Sequence, residues 1–237
     1  MRKLKAAIVA SAVLGLAFTL GACATTPTAT PDEGTVQTPD PSDVTDPQMG
    51  AAWLDGGKYI ALVTYGSSSC VPVADTVTLE GDTISVEFVE EPADQMCTAD
   101  FSPRATVFAA PEGTDPTTDV TIVAAGFEGE ATLAGLRETP AEVPEGSPSA
   151  GWFDSNGGFV VLTWGSSSCP PVVDSVEATG DADVAIIFAT PDPAQACTRD
   201  MAPRATIAYV DGLSSQVDIT LLLTGDNITG TTVILGS

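Results

Sequence analysis

One motif pair occurs twice in this chain, and the duplication restricts what it can fold into. Tyr65-Gly66-Ser67-Ser68-Ser69-Cys70 is answered by Cys97-Thr98-Ala99-Asp100-Phe101-Ser102-Pro103-Arg104. About a hundred residues later come Trp164-Gly165-Ser166-Ser167-Ser168-Cys169 and Cys197-Thr198-Arg199-Asp200-Met201-Ala202-Pro203-Arg204. Trp53 and Trp152 share the offset of the first cysteines, the second cysteines follow after one inserted residue, and Gly113 and Gly212 return to the first offset. So regular an offset means two copies of one unit, 50–137 and 150–237, joined by a Pro/Glu-rich linker over 138–149. Each copy is short enough that its own apolar core is limited.

Within each copy the apolar pattern is that of strands. Tyr59 to Tyr65 and Gly158 to Trp164 are apolar on both parities, as in a strand covered on two faces. Thr83 to Val89 alternates, with Ile84, Val86 and Phe88 inward; Val184, Ile186 and Phe188 repeat the pattern. Val73 to Leu79, Arg104 to Ala110, Val120 to Ala124 and Ala131 to Leu136 complete six strands. In the second copy, Arg204 to Val210, Asp218 to Leu223 and Thr231 to Leu235 correspond to the last three. Glu80-Gly81-Asp82, Gly180-Asp181-Ala182 and Gly225-Asp226-Asn227 carry hairpin-turn chemistry. Pro92 to Gln95 and Pro191 to Ala196 are read as short turns before the second cysteine. The expected fold is all-β: two tandem small antiparallel β-sandwich or barrel domains, each with one internal disulfide.

The cysteines follow from the same duplication. Five are present, and Cys23 stands apart at the end of the leader. Each copy must close its own bond, so Cys70 pairs with Cys97 and Cys169 with Cys197. Loops of this size are worth on the order of 3 kcal/mol in chain entropy. Two thiols per copy and no histidine do not make a zinc site, and no cofactor or metal is expected.

The absence of histidine also removes the usual partner of a nucleophilic serine. Ser67, Ser68 and Ser69, with Ser166, Ser167 and Ser168, are therefore read as a tight turn into the disulfide. A nest of backbone amides that could cradle an anion is the alternative. Asp100 with Arg104, and Asp200 with Arg204, are read as local ion pairs tying the cysteine loop to the next strand. The functional alternative offers each arginine to a carboxylate or sugar. Trp53, Trp152, Trp164, Tyr59 and Tyr65 read as core aromatics rather than a carbohydrate platform.

The chain has 32 acidic and eight basic side chains, and three of the basic ones (Arg2, Lys3, Lys5) lie before Cys23. Such a surface repels nucleic acid and anionic lipid headgroups. Residues 1–22 read as an export signal, basic at the start and apolar from Ala6 to Leu20. Residues 23–49 are rich in Thr, Pro and Asp and read as an extended tether, able to reach roughly 75 Å at about 3 Å per residue.

Leu20-Gly21-Ala22-Cys23 resembles the lipobox of bacterial lipoproteins. With the tether and the Ser-Ser-Ser-Cys…Cys-Thr-x-Asp repeats, the chain resembles tandem-repeat lipoproteins of high-GC Gram-positive bacteria. That resemblance implies acylation of Cys23, membrane attachment through its acyl chains, and display on the outer face of the cytoplasmic membrane. In a Gram-negative host, Ala24 after the cysteine would instead direct it to the outer membrane. No activity comes with the resemblance. The expected function is non-catalytic: two β domains presenting a binding surface to an envelope protein or cell-wall ligand. The alternatives are a carboxylate-based cell-wall hydrolase, with no acid pair singled out, and an envelope protease inhibitor or protective protein.

Overall fold

The computed structural model describes residues 48–210, 212 and 218–236. The expected export signal, Cys23 and the expected tether as far as residue 47 lie outside the described residues. Among the described residues, fourteen strands form two matching sets of seven. The first set is β1 (Gly50–Leu54), β2 (Tyr59–Gly66), β3 (Ala74–Glu80), β4 (Thr83–Phe88), β5 (Ser102–Ala109), β6 (Val120–Ala124) and β7 (Ala131–Leu133). The second is β8 (Ser149–Trp152), β9 (Gly158–Gly165), β10 (Val173–Ala178), β11 (Asp183–Phe188), β12 (Ala202–Tyr209), β13 (Thr220–Gly225) and β14 (Ile228–Leu235).

Each repeat builds a three-stranded layer and a four-stranded layer. The first has β1-β2-β5 and β3-β4-β6-β7. In the second, the corresponding strands join into one seven-stranded sheet because β14 continues onto β8, with Ile234 opposite Ala150 and Leu235 opposite Gly151. Alternation along the strands fills the space between the layers. Ile60 and Leu62 face Ile84, Val86, Val120 and Ile122 in the first repeat. Phe159 and Val161 face Val184, Ile186, Ile219, Leu221 and Leu223 in the second.

The opposite parity of β2 and β9 explains why these segments are apolar throughout. Ala61 and Val63, with Ala52 and Leu54, pack on Val160, Leu162 and Phe153 of the other repeat, forming a third core between the two three-stranded layers. β1 and β8 cross there at backbone contact: a β-carbon on Gly151 would lie 2.2 Å from the Trp53 carbonyl oxygen, and one on Gly50 would lie 2.7 Å from that of Phe153. Ser149 Oγ accepts from the Asp55 N–H at 2.8 Å across the same seam.

The all-β expectation and both disulfides hold, but the finer description needs correcting. The sheets are not antiparallel throughout, since β4–β6, β11–β13 and β14–β8 are parallel. Nor are there two separate sandwiches or barrels. The shared third core joins the layers into a solenoid-like stack, because neither three-stranded sheet has a polar outer face to give to water. β1 and β8 are further strands the sequence pattern does not reveal. Gly50-Ala51-Ala52 and Ser149-Ala150-Gly151 are made of small residues that suit close approach and carry no β-branched signal.

The direction of the two repeats fixes where their cysteine loops emerge. Tyr59, at the start of β2, meets Trp164, at the end of β9, edge to face at 5.5 Å. Tyr65, at the end of β2, is hydrogen-bonded to Tyr209, which lies opposite the start of β9. β2 and β9 therefore run in opposite directions across the third core, and the loops that follow them leave from opposite ends.

Candidate functional site

Each candidate site is the knot around one disulfide. Cys70–Cys97 and Cys169–Cys197 both have Cα–Cα separations of 5.6 Å. The inner cysteine of each pair is buried and the outer one is exposed. Before each inner cysteine the serines make a turn, in which Cys70 N donates to Ser67 O and Cys169 N to Ser166 O, both at 3.3 Å.

Thr98 sits at the centre of the first knot. Its N–H donates to Ser69 Oγ at 3.0 Å, and its hydroxyl donates to Asp100 Oδ1 and lies 2.8 Å from Ser67 Oγ. Asp100 also accepts from Ser68 N at 3.2 Å and from Ser102 Oγ at 2.9 Å. The second knot repeats this: Thr198 N donates to Ser168 Oγ at 3.0 Å, and the Thr198 hydroxyl to Asp200 Oδ1. There Ser166 Oγ lies 2.8 Å from Thr198 Oγ1, and Ser167 N donates to Asp200 at 3.2 Å. The Thr98 hydroxyl, followed by the Ser68 and Ser102 donors, holds the Asp100 carboxyl well below the usual carboxylate range. Asp200, bonded first by Thr198 and then by Ser167, is lowered to about 2.

The arginines turn elsewhere. Arg104 Nη1 donates to the carbonyl oxygens of Cys70 and of Ser67, the latter at 3.3 Å. Arg204 donates to Cys169 O at 2.9 Å and Trp164 O at 3.1 Å. The expected Asp100–Arg104 and Asp200–Arg204 ion pairs are not formed. The aspartate lies on the loop before β5 or β12 and closes the serine turn from outside. The arginine lies within the strand, opposite Thr64 or Thr163, and closes the same turn from beneath.

Every candidate polar residue thus converges on one turn per repeat, where the serines, threonine and aspartate bond to one another, while the buried Nε of Arg104 and of Arg204 is left without a hydrogen-bond partner. Ser67 to Ser69 and Ser166 to Ser168 are the turn that leads into the disulfide. The Ser68 and Ser167 amides, which an anion nest would use, are given to the protein's own carboxylates. Trp53 and Trp152 are buried, and Tyr59 and Trp164 are half-buried against each other. Among the described residues, burial raises one carboxyl, that of Asp55, at the seam between the repeats and opposed by Lys58. Clefts of about 380 and 190 Å³ open near the end of β14; none of the serine, aspartate or arginine candidates lines either, and Trp53 and Trp152 form part of the wall of the smaller.

What sequence reasoning overlooked is apolar and exposed. Met96 is 92% exposed, Phe101 66% and Met201 72%, all within a few residues of a knot. Phe101 stacks on Tyr65 at 5.9 Å. Thr98 and Thr198 were also missed as the centres of the knots; their recurrence directly after the second cysteine was the available signal.

No family model, curated protein or solved structure matches this chain.

Proposed function

We propose that this protein is a lipid-anchored, non-catalytic binding protein of the bacterial envelope, attached through acyl chains on Cys23 to the outer face of the cytoplasmic membrane. Its two repeat bodies stand on the 23–49 tether and present their cysteine loops to an envelope protein or cell-wall ligand. One observation carries the binding reading: in both repeats the serines, threonine and aspartate bond to one another and the arginine to main-chain carbonyls, while large apolar side chains beside them stand in water. A catalytic group must reach its substrate with a hydroxyl or carboxyl to spare. Here the carboxyls of Asp100 and Asp200, in the knots, are held ionised by their neighbours, so neither serves as a proton donor at neutral pH. Exposed Met96, Phe101 and Met201 gain nothing for the fold by staying in water, and patches of this kind mark interaction surfaces.

Two measurements test this. Cys23→Ala should move the protein from the membrane fraction to the soluble fraction, and retention at the membrane would refute the anchor. Met96→Ser with Phe101→Ser should abolish binding to isolated wall polymer or purified envelope proteins while leaving thermal unfolding unchanged. Turnover of wall sugars or peptides by the purified chain would overturn the non-catalytic reading.

A further inference from the structure

Resting on that reading, we propose that the first cysteine loop is an inhibitory loop for an endopeptidase with an apolar primary pocket, with Met96 as the side chain that enters the pocket. Residues 89–101 are exposed without a break. A segment so detached from the body would ordinarily lack a fixed conformation, yet this one is tied along its length. Gln95 N donates to Pro92 O at 2.9 Å, closing a turn before Met96. Gln95 Nε2 donates to Cys70 Sγ at 3.3 Å. Cys97 is held by the disulfide, and Thr98 by Ser69 and Asp100. Met96 alone between these ties points straight out, 92% exposed. Among the described residues, its main-chain N–H and C=O have no hydrogen-bond partner.

An exposed, pre-ordered segment with one projecting apolar side chain, whose own main-chain N–H and C=O are unpaired, is the counterpart of a substrate cleft. Endopeptidases bind extended chain by main-chain pairing and select it through a pocket for one side chain. Because the loop is already ordered, little entropy is lost on docking, which is what separates tight protease inhibitors from flexible substrates. The covalent step accounts for the rest. The protease serine oxygen bonds to the Met96 carbonyl carbon, the Met96–Cys97 C–N bond breaks, and the serine proton passes to the Cys97 nitrogen. Cys97 stays fixed by Cys70, and Thr98 by Ser69, so the new amine remains beside the acyl group and re-forms the peptide. In the second repeat Ala196 takes the place of Met96, so that loop suits only a small pocket.

The experiment titrates the oxidised full-length protein into chymotrypsin, whose pocket is apolar, and into trypsin, whose pocket carries a carboxylate. Chymotrypsin should be inhibited and trypsin should not. Met96→Lys should reverse the preference by about 100-fold or more, an effect no loss of folding can produce. Lack of chymotrypsin inhibition, complete rapid cleavage at Met96–Cys97, or inhibition indifferent to Met96→Lys would each overturn the proposal. The broader binding reading is separable: wall or envelope-protein binding that persists without protease inhibition sinks only the inhibitory loop.

Discussion

The guanidinium of Arg104 lies face-on to the α-carbon of Gly66, so close that a β-carbon there would stand 2.7 Å from Cζ. Arg204 covers Gly165 at the same distance. Glycine is needed at the end of β2 and β9 because the arginine must lie flat across the chain to reach the turn carbonyls. Gly66→Ala should displace Arg104, leave the Cys70 and Ser67 carbonyls short of donors, and cost about 1–3 kcal/mol. Urea unfolding of the oxidised protein measures this. Arg104→Lys should not restore the loss, since an ammonium cannot span two carbonyls in a fixed plane. Stability unchanged in both variants would show that the arginine is not the underside of the turn.

Removing one staple should be felt locally and globally. Cys70→Ser with Cys97→Ser frees a loop between cysteines 27 residues apart, and the matching pair in the second repeat are 28 apart. Each double substitution should lower stability by about 3 kcal/mol on the loop-entropy scale. Denaturant midpoints of the two double variants give the comparison, and a negligible change would place the order of the loop in the hydrogen-bonded knot instead.

Acid should loosen the knots before it unfolds the stack. Asp100 and Asp200 have lower pKa values folded than unfolded, so their contribution is complete above the unfolded value near 4. It is lost as pH falls through the folded values, which for Asp200 means towards about 2. The protection of the Ser68 and Ser167 amides against hydrogen exchange, relative to the intrinsic rate at each pH, should therefore fall as pH drops below about 4. Asp100→Asn with Asp200→Asn should flatten that dependence. An equal acid response in the double variant would assign it to the many other carboxylates.

The seam between the repeats makes them one folding unit. Gly151→Ala must push apart β1 and β8, because its β-carbon would stand 2.2 Å from a backbone oxygen that has no rotamer to move to. The expected loss exceeds about 2 kcal/mol, typical of overpacking against main chain. Calorimetry should show one transition for the parent protein. Two resolved transitions in the parent would mean that the third core does not couple the repeats.

Much of this was legible in the sequence, and the remainder has physical reasons. The disulfides could be read because duplication left one pairing per copy. Strands β2 and β4, with their partners β9 and β11, could be read from parity. The two-sided apolar character of Tyr59 to Tyr65 announced a second covering layer, but nothing in one copy says that the other copy supplies it. The arginine partners were misjudged because closeness in sequence suggested Asp100 and Arg104. Strand geometry sends Arg104 back to the turn at Ser67 to Cys70. Met96 was passed over because a lone apolar residue in a polar loop has no periodicity to mark it.

The opposed directions of β2 and β9 have a consequence for how many partners one molecule can hold. An eight-residue strand is about 25 Å long, so the two cysteine loops, leaving from opposite ends of the third core, are separated by about the length of a strand. No single cleft of ordinary size can cover both. On the proposed binding reading, two partners could be engaged at once, and because Met96 stands in one loop and Ala196 in the other, they need not be alike. The duplication would then make a bridge between unlike partners rather than a doubled grip on one.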